Sequence, residues 1–411
     1  MPLHALLSAH LPAGLPGAVW QRAVGGVALA LCGLAWAAEP PSGNADLGAS
    51  ATHTAVTVDA HRRTKPTTPT KPSKNPAPVL HDRHDSQADL VTYGHRADAM
   101  RLATEIAQTH GLDPAWVASA LAGARFVPEV TRLIMPGPVG VAKNWASYRA
   151  RFVEPQRIGA GVAFWDANAR WLDAAQARFG VPPEVIVGIV GVETFYGRIM
   201  GRFRVLDALA TLSLDFPTGR SDRSAFFRDE LAQLLLLASR EGVAPGSLLG
   251  SFAGAIGLGQ FMPGSINRVA LDFDGDGHID MTGSPADVIG SIAHYLADAG
   301  WVAGMPTHFA LDATPAQGSA GRAALLVNDI TPGFTPAQMA EQGATLSDAG
   351  QRFDGALAFV ELRNGDAAPS AVAGTANFYA VTRYNRSAYY ALGVIELGQA
   401  VAAQRLLLAR R

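Results

Sequence analysis

The chain has 411 residues and a single cysteine, Cys32, which lies in an N-terminal hydrophobic segment. After that segment there can be no disulfide, no thiolate metal site and no cysteine nucleophile. Charge is also scarce. Asp, Glu, Lys and Arg make up 17% of the residues and the formal net charge is -2, so no global basic field invites nucleic acid. None of the 11 histidines stands in an H-x-x-x-H or H-E-x-x-H pair, which leaves a zinc hydrolase without support. No internal repeat is visible. Apolar residues, at 48%, are plentiful enough to core one large or two ordinary domains.

Residues 1–38 read as an export signal. A weakly basic start (His4, His10, Arg22) leads into an apolar run over 24–34, then Ala35-Trp36-Ala37-Ala38. The run is short for a membrane span, and the A-x-A pattern fits cleavage near Ala37 or Ala38. The reading is therefore an exported periplasmic protein. Cys32 opens a lipoprotein alternative, but Leu31 before it is bulkier than the small residue such sites carry, and an uncleaved anchor is a third option. Residues 39–87 are rich in Pro, Thr, Ser and Ala without an apolar period, as expected of a disordered linker.

From 88 to 411 the pattern is that of one mainly α domain. An amphipathic stretch over 97–109 stops at Gly111, and Asp113-Pro114 caps and opens a second helix. Phe164, Asn168, Trp171, Leu172, Ala175 and Phe179 trace a further helix ended by Gly180. Residues 226–239 and 287–299 give two more, the latter closed by Gly300-Trp301. Residues 304–376 differ. They are rich in Ala, Gly, Pro and Thr, with a strand-like run at 356–363 and a capping box at Thr335–Gln338, and they read as a small mixed α/β insertion. A helix over about 387–408 closes the chain.

Residues 185–198 read V-I-V-G-I-V-G-V-E-T-F-Y-G-R. Eight apolar or glycine positions end in one carboxylate, Glu193, and an acid in such a run is costly unless paired or used. On a helix, Ile186, Ile189 and Val190 share the face of Glu193. Gly197 and Gly201 are the expected stop. Hydrocarbon surroundings raise a carboxyl pKa and hold the proton of a general acid. The other reading is a structural ion pair with Arg198 or Arg202.

Two further stretches carry chemistry. Residues 250–265, G-S-F-A-G-A-I-G-L-G-Q-F-M-P-G-S, let a backbone approach a ligand or helix closely, but no lysine follows as in a phosphate-binding loop. Residues 272–287, D-F-D-G-D-G-H-I-D-M-T-G-S-P-A-D, open like an EF-hand: acids at positions one, three and five, glycine at six, a carbonyl from His278 at seven and Ile279 at eight. Gly283 stands where the closing glutamate belongs, so the loop would have to close on Asp287. One loop without a second suits a structural calcium ion better than a sensor.

Together with L-D-A-L-A-T-L-S at 206–213 and N-F-Y-A-V-T-R-Y-N-R-S-A-Y-Y at 377–390, these motifs resemble the B-type lytic murein transglycosylases, in the same order from about Tyr93 to Arg405. The resemblance implies a lysozyme-like core over about 160–300 with a helical N-terminal part. It also implies cleavage of the β-1,4 bond between N-acetylmuramic acid and N-acetylglucosamine in peptidoglycan. Glu193 matches the family's catalytic acid/base. Ser251 and Gln260 match groove residues, and Tyr384, Asn385 and Tyr390 match polar and aromatic groups near the acid and the sugar. Asp272, Asp274, Asp276, the His278 carbonyl and Asp287 match its calcium ligands, with one residue more before the last acid than in the family. No organic cofactor is implied. Glycan strands are the expected partner of a monomer, with wall-synthesis proteins as further partners and no nucleic acid.

Glycosidases that work with two carboxylates need a second acid, and none appears beside Glu193 in these motifs. The family's route uses one residue twice, as acid and then as base, and forms a 1,6-anhydromuramoyl end. The alternatives are a hydrolytic muramidase of the same fold, a non-catalytic wall-binding module, and a protein organised around its calcium loop.

Overall fold

The computed structural model describes residues 91–136 and 142–410. The export signal, Cys32 and the linker fall outside the described residues.

The central element is the helix Pro183–Thr194. Prolines at its start suit a first turn that needs no N–H partners. Val185 through Thr194 are all buried, because the helix is covered on every side. The largest cover is the C-terminal helix Ala388–Ala409, which runs antiparallel along it; Pro155–Ala167, Ala169–Phe179 and Pro285–Asp298 pack against the remaining faces. The C-terminal helix is long and apolar enough by composition to cross a membrane, yet the stretch from Tyr390 to Val401 supplies core side chains against the central helix.

The two helices approach at the distance glycine permits. A Cβ on Gly188 would stand 2.2 Å from the Val394 carbonyl oxygen, and one on Gly398 would stand 2.0 Å from that of Glu184. These two contacts fix the antiparallel register, and they bring the start of the C-terminal helix to the end of the central one.

The N-terminal helices Ala97–His110 and Pro114–Ala122 pack on each other, Asp113 capping the second through the Trp116 N–H at 2.7 Å. Further on, Val205–Leu214 and Ser224–Arg240 pair, and Ser224–Arg240 also packs against Pro263–Val269. The helix expected to begin near Phe164 is two helices. Asn168, at φ -120° and ψ 18°, breaks the run, and its side chain bonds back to the Phe164 carbonyl. That local bond competes with helix continuation.

The insertion is a small module with its own core of Leu325, Met339, Leu346, Leu357 and Phe359. Its three-stranded antiparallel sheet has the order His308–Phe309, Ala367–Gly374, Ala358–Asn364. The Thr335 capping box forms as expected. A buried Arg322–Glu361 ion pair at 2.5 Å ties a helix of the module to the sheet.

We expect Gly188→Ala to cost about 1–3 kcal/mol, because the intruding methyl meets backbone that cannot rotate away. A thermal melt checks this: the variant should unfold a few degrees lower, and a wild-type melt would contradict the close register of the two helices.

Candidate active site

Glu193 lies in the last turn of the central helix and is 2% exposed. The phenol of Tyr390, from the C-terminal helix, donates to its Oε1 at 2.7 Å. Oε2 is buried and has no hydrogen-bond partner. Burial pushes the carboxyl up to about 8, and the Tyr390 bond pulls the other way. A proton on Oε2 is therefore held at neutral pH, on the oxygen the protein leaves unbonded.

The ion-pair reading finds no counterpart in the geometry. Arg202 pairs with Glu129 at 2.9 Å, and the Arg198 guanidinium lies 4.6 Å over the Phe195 ring. The nearby acids are engaged elsewhere too. Asp207 accepts from the Arg125 N–H and pairs with Arg204, while Asp215 is held by Tyr93 and Arg96.

The helix stops earlier than the glycines suggest. Phe195 and Tyr196 already take left-handed conformations, at φ 52° and 56°, ahead of Gly197 at 88°. The side chains drawn into this turn pay back part of its strain in packing, for Phe195 stacks under the Arg157 guanidinium at 4.3 Å.

The glycine-rich stretch wraps beside this turn as a knot of short backbone bridges, Gly250 to Ile256 and Ile256 to Phe261. It is preceded by a two-residue strand, Leu249–Gly250, that pairs with Phe203–Arg204, an element its sequence does not announce. Ser251 is buried and its Oγ accepts from the N–H groups of Ala253 and Ala255, so it organises the turn. Gln260 is fully buried at φ 53°. Its amide N–H groups donate to the carbonyls of Met200 and Gly257, and its Oε1 is left without a partner.

Tyr384 donates to the Gly259 carbonyl and stacks on Tyr390, with ring centroids 6.3 Å apart and planes 8° off parallel. The Tyr384 ring also sits 5.0 Å from that of Tyr295 and 5.5 Å from Phe261. Asn385 is half-buried and extended, and its carbonyl accepts from the Ser387 N–H. The fold thus joins Glu193, Tyr390, Tyr384 and the glycine-rich loop into one chain of contacts. Sequence reasoning missed Thr194, Tyr295 and Phe261, although Thr194 adjoins the acid and lies in the same buried run.

The acidic loop adjoins the glycine-rich stretch, where the Leu258 N–H donates to the Met281 carbonyl at 2.9 Å. Asp272, Asp274 and Asp276 are exposed and each offers an oxygen within 4.8 Å of the others. The Asp272 carboxylate gathers the N–H groups of Gly275, Asp276 and Gly277, and Gly277 takes φ 96° at the sharp turn. Asp276 accepts from the His278 N–H at 2.9 Å. Asp287 is not in the three-acid cluster. It is 1% exposed, and its two oxygens accept from Phe273 at 2.7 Å and Asp280 at 2.9 Å, closing the loop onto the next helix. Clustered hard oxygens on an EF-hand-like turn fit a calcium ion.

A buried carboxyl at a helix end, beside a glycine-rich backbone and a tyrosine stack in a mainly helical fold, is suited to general-acid chemistry. A family model, the transglycosylase SLT domain, matches residues 95–399. The membrane-bound lytic murein transglycosylase B of Escherichia coli is 37% identical over 337 residues, 80% of this chain and 89% of that protein. The soluble lytic transglycosylase SltB1 of Pseudomonas aeruginosa, solved in a catenated form, superposes with a TM-score of 0.69 at 37% identity, over 76% of this chain and 99% of that one. The Escherichia coli lytic transglycosylase Slt35, solved in complex with calcium, gives 0.67 at 37% identity, over 76% and 95%. The chain belongs to the lytic murein transglycosylases of the SLT-domain type, lyases that cleave peptidoglycan.

The burial of Glu193 makes stability depend on pH. Well below the ordinary value of 4.5 the carboxyl is protonated in both folded and unfolded chains. As pH rises toward about 8 the unfolded chain ionises first, and the folded state loses on the order of a few kcal/mol. Glu193→Gln removes this loss. Its melting temperature should exceed the wild type's by a margin that grows from near pH 4.5 to a plateau above about 8. A margin independent of pH would contradict the burial.

Proposed function

We propose that Glu193 serves as the acid and then as the base of a lytic transglycosylase that leaves a 1,6-anhydromuramoyl end. The observation that carries this reading is the buried, unpaired Oε2 on a carboxyl whose other oxygen is bonded to Tyr390. The Oε2 proton passes to the glycosidic oxygen as the bond from C1 breaks. The N-acetyl group of the muramoyl residue stabilises the cationic carbon. The carboxylate, steadied by the Tyr390 donor, then takes the proton of the C6 hydroxyl as O6 bonds to C1. The enzyme returns to its protonated form and no water is consumed. One residue that gives up one proton and then takes another needs a pKa near the working pH, and burial supplies it. Attack from within the sugar gains a high effective molarity.

Gln260, Tyr384 and Asn385 line the groove in this reading, and Ser251 shapes the turn behind them. The free Oε1 of Gln260 is an acceptor suited to a sugar hydroxyl or amide N–H. Asp272, Asp274, Asp276 and the His278 carbonyl would hold calcium, with Asp287 fastening the loop behind them; the ion would neutralise the clustered acids. Residues 1–38 direct export to the periplasm, 39–87 form a linker, and 88–411 form the catalytic unit. The protein works as a monomer on glycan strands.

Mass spectrometry of muropeptides released from purified sacculi tests the reaction. The anhydro product is lighter by one water than the hydrolytic one, and hydrolytic product alone would identify a muramidase instead. Glu193→Gln should keep the fold and lose wall lysis, and wild-type turnover should fall as pH rises through about 8, where Oε2 loses its proton.

Removing calcium with a chelator should lower the melting temperature without displacing any catalytic group. Coincident melting curves with calcium and with chelator would count against the site.

A further inference from the structure

Thr194 ends the central helix, and the next three residues, Phe195, Tyr196 and Gly197, are all left-handed. Two of them carry side chains, so the surroundings must enforce this turn. The Thr194 hydroxyl sits at its hub. It is 1% exposed, accepts from the Gly197 N–H at 3.1 Å and donates to the Leu258 carbonyl at 2.9 Å. A threonine at a helix end ordinarily bonds back to its own helix. Here the distance to the Val190 carbonyl is 3.3 Å, and the shorter bond goes to a residue 64 positions away.

Leu258 is itself anchored, since its N–H donates to the Met281 carbonyl at 2.9 Å, at the end of the acidic loop. Two residues further on is Gln260. A single hydroxyl thus joins the end of the helix that carries Glu193, the left-handed turn and the glycine-rich loop. On the other side of the turn, Arg157 donates to the Gly191 carbonyl and covers the Phe195 ring.

We propose that Thr194 is a positioning residue for the reaction: its hydroxyl closes the left-handed turn and holds the Glu193 carboxyl in register with the glycine-rich loop that carries Gln260. The inference rests on Glu193 being the acid/base. Without the hydroxyl, the Gly197 N–H and the Leu258 carbonyl lose this partner, and helix end and loop are free to drift apart. Displacement of a reacting group by about 1 Å is enough to cost about 100-fold in rate.

The test compares Thr194→Val, Thr194→Ser and Glu193→Gln on purified sacculi, below the melting temperature of each variant. Thr194→Val should lower kcat by about 10- to 100-fold with KM close to wild type. Thr194→Ser, which restores the hydroxyl, should recover most of kcat. Thr194→Ala, with a smaller side chain, gives the same reading should the valine variant not fold. A hydroxyl-free variant with wild-type kcat, or a serine variant as slow as valine, would overturn the inference. A Glu193→Gln variant that still lyses the wall would overturn the acid/base reading and this inference with it. An inactive Glu193→Gln beside a fully active Thr194→Val would overturn this inference alone.

Discussion

The structure turns on one unpaid desolvation: a carboxyl group carried into a hydrocarbon core with a single hydrogen bond to meet it. Any basic side chain placed beside Glu193 would relieve the cost and strip the proton. The fold instead sends Arg202 to Glu129 and lays Arg198 over the Phe195 ring. What it gives Glu193 is burial and the single hydrogen bond from Tyr390. Stability is given up locally, and the wide packing of the central helix against its neighbours supports the loss.

The register of two helices makes this arrangement possible. Glu193 and Tyr390 are 197 residues apart in sequence. Their meeting follows from contacts far from the acid: Gly398 over the Glu184 carbonyl, then Gly188 against Val394. Because the helices are antiparallel, closeness at one end sets the reach at the other. The phenol then arrives at Oε1 and leaves Oε2 open. Tyr384, stacked on Tyr390 and bonded to Gly259, extends the same rigid path into the glycine-rich loop. The loop's glycines are close-packing devices as well. A Cβ on Gly257 would stand 1.9 Å from the Met281 carbonyl oxygen, which is why the acidic loop and the glycine-rich loop share one backbone seam.

Much of this was legible in the amino-acid sequence where a local rule governs. The Asp113 cap, the Thr335 capping box, the Gly180 stop and the helix that carries Asp287 in its first turn all rest on neighbours in the chain. The acid in its apolar run announced burial for the same reason. What escaped depends on contacts between distant segments. The central helix ends at Thr194 and not at the glycines, because packing of Phe195 under Arg157 and the bond to Leu258 outweigh the residues' own preference for right-handed backbone. Asn168 looked like one more position on a helical face, but its side chain bonds the backbone and splits the helix. Ser251 was expected to face the groove, and its Oγ is instead an acceptor for two N–H groups of its own turn. Asp287 was expected beside the other acids, and its burial among backbone N–H groups sets it behind them.

One carboxyl can serve two opposite steps only within a narrow electrostatic window. Burial alone would raise Glu193 so far that its conjugate base, once formed, would be too unstable to survive until the second step. A second donor or a cation would lower it so far that no proton is left for the first. Tyr390 supplies one donor, from a phenol whose own pKa burial drives well above its ordinary value, so it gives a hydrogen bond without giving up its proton. The result is a carboxyl pushed up to about 8, which in the proposed route is protonated when substrate arrives and still tolerable as an anion when the leaving group departs. A second carboxylate beside it would raise that value further by repulsion and unbalance the pair of steps. The solitude of Glu193 is thus itself a condition for the single-residue route.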